Sequence, residues 1–321
     1  MTWLHRFAVF VSACTLLLLA AGGMVTSTDS GLAVPDWPNT YGHFMFSFPF
    51  ERMVGGILYE HGHRMIASIV GLLTIVLAIW TWRVDPRRWV RWLAVSALAA
   101  VIVQGVLGGV TVLLLLPAAV SVGHAALAQL FFSMTVGIAL LTSRGWRTPA
   151  SRLPYDARLA RMAIATCVLI YGQMLLGATM RHREAGMAIP DFPLAFGLLI
   201  PPFWSFDIAV HFAHRVGALV VTAAILWIVG KTRSGHRAHP ALGRPALLMV
   251  VLVVIQVTLG SFVVLTGLQP IVNTAHLVNG ALLLAAATVL ALRSHWVPLT
   301  TGFTARRSAT RPLSETAEAH P

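Results

Sequence analysis

Four histidines have the greatest potential for chemistry in this sequence, because they recur at matched places in a strongly apolar chain. His63 and His124 lie in the first half, and His214 and His276 follow 151 and 152 residues later. Each lies near one end of a long apolar run, where an ionisable side chain is costly and usually functional. Two imidazoles on facing helices, present twice, match the axial ligation of two haems better than zinc, which normally takes three or four ligands. The alternative is that each histidine hydrogen-bonds a backbone carbonyl or a neighbouring helix.

A single carboxylate breaks the symmetry of the two halves. Glu60 precedes His63 by about one helical turn and therefore shares its helix face, whereas the position 151 residues after Glu60 holds His211. A buried carboxylate can stabilise developing positive charge or accept a proton. The asymmetry predicts one reactive half and one supporting half. Alternatively, Glu60 is satisfied by Arg64 or by an interfacial amide.

Two arginines and the other nine histidines have less specific surroundings. Arg64 and Arg215 each follow a predicted ligand directly, and they either extend to lipid headgroups or pair with haem propionates. His61 and His211 are interpreted as packing or pocket-lining residues. The remaining seven histidines are expected in solvated loops or tails: His5, His43, His182, His236, His239, His295 and His320.

The composition is that of a polytopic membrane protein. Of the 321 residues, 57% are hydrophobic and only 11% are charged, which is not the composition of a soluble domain. The net charge of +12 lies between the apolar runs, and this excludes a nucleic-acid partner. Cys14 and Cys167 both lie inside apolar runs, so neither a thiolate metal cluster nor a loop disulfide framework is expected.

Eight apolar runs are long enough to cross a bilayer, which takes about 20 residues. The first is interpreted as a retained helix rather than a signal peptide. An even number of spans places both termini on the same side of the membrane. The runs cover approximately residues 7–26, 60–80, 92–114, 123–142, 160–180, 209–230, 245–266 and 272–292.

The basic residues predict the orientation of these spans. Eighteen Lys and Arg residues fall on one face, and three fall on the other, which also carries six of the eleven acids. Because cytoplasmic loops are enriched in Lys and Arg, both termini are expected in the cytoplasm.

An internal repeat divides the sequence. Residues 35–38, Pro-Asp-Trp-Pro, return at 190–193 as Pro-Asp-Phe-Pro, and the stretch Gln-Gly-Val-Leu-Gly at 104–108 is echoed by Gln-Val-Thr-Leu-Gly at 256–260. The near-constant offsets predict an all-α integral membrane protein built as two four-helix bundles, 1–150 and 151–300, in a parallel repeat. Residues 301–321 are expected to form a disordered cytoplasmic tail.

Several motifs in combination resemble the haem A synthase family of aerobic bacteria and mitochondria. They are Glu60-His61-Gly62-His63-Arg64, the stretch 31–38, His124, His214-Arg215 and the stretch 273–276, in a resemblance that covers essentially the whole chain up to about residue 295. It implies that Glu60 is linked to catalysis. It also implies that His63 and His124 ligate the substrate haem o, and that His214 and His276 ligate a haem b cofactor. The first half would oxidise a ring methyl of haem o to a formyl group, which yields haem A for cytochrome oxidase.

The resemblance also implies partners. Haem o is the substrate, and haem O synthase, cytochrome oxidase assembly factors, a membrane electron acceptor and a second copy of the chain are candidates. Some members of the family carry a cysteine pair in the first external loop. Val34 and residues 39–41 provide no thiol there, so a disulfide electron relay in that loop is excluded and the electron acceptor stays open.

Two other classes of protein remain as alternatives. A non-catalytic dihaem electron carrier of the cytochrome b type would need the four histidines but no acid, so Glu60 discriminates against it. A haem or small-solute transporter would be expected to have broken helices and polar groups near the membrane midplane. The ionisable residues of this chain cluster towards one face instead.

Reporter fusions test the predicted orientation. Fusions within residues 143–159 and at the C-terminus should report a cytoplasmic location, because these segments carry the excess of positive charge. A fusion within residues 27–59 should report the opposite side. An external signal from the C-terminal fusion would show that the number of spans is wrong.

Overall fold

The computed structural model describes residues 3–147, 156–236 and 239–295, and these ranges contain eight long helices and no β-strand. Each of the eight is long and apolar enough to cross a membrane, which confirms the predicted number of spans. The predicted tail at 301–321 lies outside the described residues. The helices are α1 (Trp3–Ser27), α2 (Gly56–Val84), α3 (Arg88–Leu113), α4 (Ala118–Thr142), α5 (Ala157–His182), α6 (Phe206–Gly235), α7 (Pro240–Leu265) and α8 (Pro270–Ser294).

Local sequence signals explain where several helices begin. Proline opens α7 and α8, at a position whose N–H has no partner within the helix. The side chain of Asp156 accepts from Arg158 and Leu159 at the start of α5, and the Ser205 hydroxyl accepts from Ile208 at the start of α6. Within a bilayer a helix satisfies all its backbone groups internally, so apolar runs of this length form helices throughout.

The helices pack as two neighbouring sets of four. In the first set α1 contacts α2 and α4, and α3 contacts α2 and α4; in the second set α5 contacts α6 and α8, and α7 contacts α6 and α8. The sets meet through contacts of α1 with α8 and of α4 with both α5 and α8. Half of the apolar window of α4 and of α8 is buried, against 22 to 28% for the other six helices. The helices that carry His124 and His276 are therefore the central ones.

His5 is buried, so the prediction that it is solvated is wrong. It lies in the first turn of α1, and its Nδ1 is 2.8 Å from the carbonyl oxygen of Ala139 on α4. Because α1 packs along α4, this residue near the start of α1 is covered by the neighbouring helix. Its proximity to the chain terminus gave no indication of that contact.

Two loops close the same end of the bundle, which we call the loop end. They are residues 28–55, between α1 and α2, and residues 183–205, between α5 and α6. In the first loop the Asp36 carboxylate accepts the backbone N–H groups of Tyr41 and Gly42 at 2.8 and 2.9 Å. The second loop repeats this arrangement, with Asp191 accepting from Phe196 and Gly197 at 2.7 and 2.8 Å.

Backbone conformation explains why a glycine ends each of these turns. Tyr41 and Gly42 have φ of 49° and 75°, and Phe196 and Gly197 have φ of 57° and 77°. Consecutive left-handed residues point their N–H groups to the same side, where they form an anion-binding nest. The two aspartates of the repeated Pro-Asp-aromatic-Pro motif therefore have the same structural role, which is to hold a turn of the loop.

We expect the first loop to loosen in acid. Burial alone would raise the pKa of Asp36, but the amides of Gly42 and Tyr41 and the nearby Arg64 hold this pKa below its ordinary value. A depressed carboxyl pKa stabilises the fold above the unfolded value of about 3.9, and this contribution is lost as the pH falls through the lowered pKa. The fluorescence of Trp37, taken as the difference between wild type and Trp37→Phe, should change in that acid range.

Asp36→Asn provides the control for this transition. The variant should show altered Trp37 fluorescence already at neutral pH and no further step in acid. An acid transition of equal size in Asp36→Asn would show that another group controls the loop.

Candidate active site

The four predicted ligands lie at the loop end of the bundle. His63 is the eighth residue of α2, His124 the seventh of α4, His214 the ninth of α6 and His276 the seventh of α8. These four helices all run away from the loop end, so residues within their first three turns lie at similar depth. Antiparallel packing thereby brings histidines that are far apart in sequence to the same level.

The second set of helices brings two imidazoles close together, with the edge of one ring towards the other. The ring centroids of His214 and His276 are 6.4 Å apart, with 65° between the ring planes. A bond from a metal to an imidazole nitrogen is about 2 Å long. Two imidazoles on opposite sides of one iron would therefore have centroids about 6 Å apart, and the observed separation fits this arrangement.

Each of the four rings rests against a glycine of a neighbouring helix. We call each such contact a glycine cradle, because a Cβ on the glycine would lie too close to Cε1 of the histidine. Only glycine allows so close an approach between a ring and the backbone of the next helix. The Cβ-to-Cε1 distances would be 2.9 Å for Gly22 and His63, 3.2 Å for Gly108 and His124, 2.9 Å for Gly177 and His214, and 3.0 Å for Gly260 and His276.

In three of these rings one nitrogen has no hydrogen-bond partner. The Nδ1 atoms of His63, His124 and His276 are buried without a hydrogen-bond partner. An unpaired polar atom in an apolar interior is unfavourable, so these atoms mark positions at which a further group is required. In the described part of the chain no cluster of three or more His, Cys, Asp or Glu residues could hold a metal ion. The donors are thus pairs of imidazoles, which suit the axial positions of haem.

Glu60 is buried, and the chain itself engages both of its carboxylate oxygens. The side chain of Arg64 approaches Oε1 at 2.6 Å, and the N–H of Val34 donates to Oε2 at 2.7 Å. The residue is only 3% exposed. Both partners of the alternative interpretation, Arg64 and an amide, are therefore present. A carboxylate has about four acceptor sites, so these two bonds leave capacity for a proton.

His211 occupies the place of Glu60 in the second set of helices. Its Nδ1 lies 3.3 Å from the N–H of Ile189, and Ile189 corresponds to Val34 in the repeated loop. In the second half a neutral nitrogen acceptor thus replaces the carboxylate and holds the corresponding loop. In keeping with this difference, Arg215 has no carboxylate partner on its own helix comparable to Glu60, and its Nε is buried without a partner.

The two arginines after the histidines fasten the loops to the helices. Arg64 donates to the carbonyl oxygens of Val34, Asp36 and Asn39 at 2.7 to 3.0 Å. Arg215 donates to the carbonyl oxygens of Ile189, Asp191 and Leu194 at 2.7 to 3.1 Å. A role of either arginine as a propionate partner stays a prediction, because the observed partners belong to the chain itself.

His61 is a buried residue that packs under the first loop. Its Nδ1 is 2.8 Å from the Thr40 hydroxyl, and its ring lies 5.1 Å from the ring of Phe48. Among the described residues it therefore connects α2 to the loop.

Three glutamines next to the ligands were not predicted as site residues. Gln104, Gln173 and Gln256 each contact one of the four histidines. Their signal in the sequence is a glutamine four residues before a glycine, which occurs at 104–108, 173–177 and 256–260. Two of these stretches indicated the repeat, but their contact with the histidines depends on the packing of neighbouring helices.

Comparison with known proteins identifies the family. A family model described as cytochrome oxidase assembly protein matches residues 5–288. A protein named heme A synthase from Symbiobacterium thermophilum is 32% identical over 228 residues, which is 68% of this chain and 72% of that protein. The chain belongs to the haem A synthase family.

Further members of the haem A synthase family match over most of their length. Proteins named heme A synthase from Shouchella clausii and Halalkalibacterium halodurans are 31% and 27% identical to this chain. These matches cover 82% and 85% of this chain, and 87% and 92% of the relatives. The haem A synthase family implies that haem binds to the protein, and the unsatisfied imidazole nitrogens and the glycine cradles fit that group.

Substitution in a cradle tests whether the rings bind haem. Gly177→Ala would place a methyl group 2.9 Å from the His214 ring and displace it. We expect haem content to fall by about tenfold or more, as for other changes that disturb the support of a metal ligand. The measurement is haem per protein after purification.

Gly172→Ala on the same helix is the matched control. A Cβ there meets nothing within 4 Å, and alanine favours the helix, so haem content should not change. Equal haem content in Gly177→Ala and Gly172→Ala would contradict the site.

Proposed function

We propose that this protein is a haem A synthase, an oxidoreductase that converts a ring methyl of haem o into a formyl group and so makes haem A for cytochrome oxidase. Family membership supports the reaction class. The observation that carries the proposal in this chain is the buried Glu60, three residues before His63, with no carboxylate at the matched position of the second half. A dihaem electron carrier would not need this acid for its chemistry.

The two halves have different roles in this proposal. Residues 1–150 receive haem o between His63 and His124, and residues 151–300 hold haem b between His214 and His276. When bound, haem b supplies a one-electron redox centre in the same protein as the substrate. The imidazole pairs orient both groups at the loop end, and the helices around them exclude lipid and water.

The reaction balances when water supplies the oxygen atom. Converting a methyl into a formyl group in this way breaks C–H bonds, forms a bond between carbon and oxygen, and releases four electrons and four protons. The electrons pass to an acceptor in the membrane. The protons need a base close to the reacting carbon, and Glu60 is the only carboxylate within the described first half that is buried beside a predicted haem ligand.

The structure around Glu60 suits proton transfer. Arg64 and the Val34 amide hold the carboxylate in one position, and a positioned base within reach of the substrate contributes about 10² to 10⁴ in rate. Val34, Thr40 and Phe48 are buried where the first loop packs against α2. The loop therefore limits access of bulk water to the carboxylate, and a negative charge near the reacting carbon would stabilise the positive charge that develops there.

The charge distribution supports a site for this reaction at the outer side of the membrane. With the basic loops in the cytoplasm, both termini are cytoplasmic and the loop end faces the outer side of the bacterial inner membrane. Haem O synthase and cytochrome oxidase assembly factors are the partners that this proposal expects on either side of the reaction.

Glu60→Gln tests the catalytic role. Glutamine keeps the size of the side chain but removes its negative charge, so conversion should fall by about 10² to 10⁴. Haem A should drop to trace levels, while haem o or a partly oxidised intermediate accumulates. Haem extraction from membranes that contain the variant measures all of these species.

Two reference variants make this test specific. His211→Gln alters the equivalent position in the second half and should be much milder, and His214→Leu should deplete haem b. Retained haem b in Glu60→Gln would show that the variant is inserted and folded. Near-normal haem A from such a preparation would count against the proposal and favour the electron carrier.

A further inference from the structure

Three of the four histidines are held by a glutamine on the helix that provides their glycine cradle. The amide nitrogen of Gln104 donates to the main-chain carbonyl of His124 at 2.8 Å. Gln173 and Gln256 do the same for their histidines at 2.7 and 3.1 Å. Each glutamine lies four residues before the cradle glycine, which is about one helical turn. One face of the neighbouring helix therefore contacts both the ring and the backbone of the ligand.

The second half holds its ligands more completely than the first. The amide nitrogen of Gln173 lies 3.0 Å from Nδ1 of His214, and that of Gln256 lies 3.2 Å from Nε2 of His276. Asn279 in turn donates to Oε1 of Gln256 at 2.7 Å, which orients that amide. These glutamine side chains therefore lie against the ring of the histidine as well as its backbone.

The first half lacks this side-chain support, although the main chain of Leu18 contacts the His63 ring. The Oε1 atom of Gln104 is buried without a partner, so its amide is oriented by the contact with His124 alone. For His63 the glutamine is missing: Leu18 lies one turn before Gly22, where α5 has Gln173 before Gly177. The Leu18 side chain has no donor and packs among the apolar residues of the first set of helices.

We infer that this difference controls haem exchange: the first pocket takes up and releases haem, with His63 as the ligand that withdraws, whereas the second pocket retains its haem. The inference rests on the proposed function, which assigns haem o to the first pocket and haem b to the second. A substrate has to leave as product, but a cofactor has to stay. Residues that position a metal ligand typically change metal affinity by 10- to 100-fold, which is enough to separate the two behaviours.

Gln173→Leu tests the retaining pocket, because it gives α5 the residue that α1 has at the matched position. Transfer of haem b from the purified full-length protein to an excess of apomyoglobin should become about 10- to 100-fold faster. Gln129→Leu is the matched control, since Gln129 is another buried glutamine with no contact to a cradle. Unchanged transfer in Gln173→Leu, or equal acceleration in both variants, would overturn the inference.

Leu18→Gln tests the exchanging pocket in the opposite direction. Protein loaded with haem o should release it to apomyoglobin about tenfold or more slowly, while the release of haem b stays as in the wild type. Leu18→Met fills the same space without a donor and should not slow the release of haem o. Release of haem o that is unchanged or faster in Leu18→Gln would overturn the inference. If this variant does not accumulate in membranes, the comparison of Gln173→Leu with Gln129→Leu decides.

Failure of the inference and failure of the proposed function give different results. Wild-type protein that contains no haem b, or haem b that survives His214→Leu, contradicts the proposed function. A protein that binds both haems but releases them at rates independent of positions 18 and 173 contradicts only the inference.

Discussion

The interior of a membrane protein offers no water to its polar groups, so the chain has to provide every hydrogen-bond partner itself. The loop end satisfies this requirement densely. Arg64 and Arg215 donate hydrogen bonds to carbonyl groups of the two loops, and Glu60 and His211 each accept one from a loop amide. The imidazole nitrogens that stay unpaired in this setting are the exceptions. In our proposal these nitrogens mark where haem binds.

The two halves use one scaffold for two purposes, and the differences are confined to a few positions. Matched loops, matched arginines and four glycine cradles repeat the same contacts with offsets of 151 to 155 residues. At one pair of equivalent positions the first half has Glu60 and the second has His211, so only the first half has a carboxylate there. At another pair the first half has Leu18 and the second has Gln173, so His63 lacks the side-chain amide that contacts His214. In our proposals the first difference allows oxidation, and the second allows the product to leave.

Several features could be predicted because they depend on local pattern. Apolar runs of about 20 residues are compatible only with helices in a bilayer, and the eight helices follow from that constraint. The histidines could be singled out because an ionisable residue inside such a run is energetically costly and is usually functional. Contacts between helices could not be predicted in this way. His5 was expected in solvent and is covered by α4, and Gln104 and Gln256 indicated a repeat without indicating that they hold His124 and His276.

The sequence by itself determined the class of protein, the number of helices, the paired histidines and the asymmetry at Glu60, because spacing and hydropathy along one chain specify these properties. Only the tertiary structure decided which residues meet. It placed both carboxylate oxygens of Glu60 against Arg64 and Val34, seated each imidazole on a glycine, and connected three ligands, but not His63, to a glutamine. The physical reason is that these contacts join different helices. Their geometry depends on how closely two helices approach and on which faces they turn to each other, and neither property is a function of spacing within one helix.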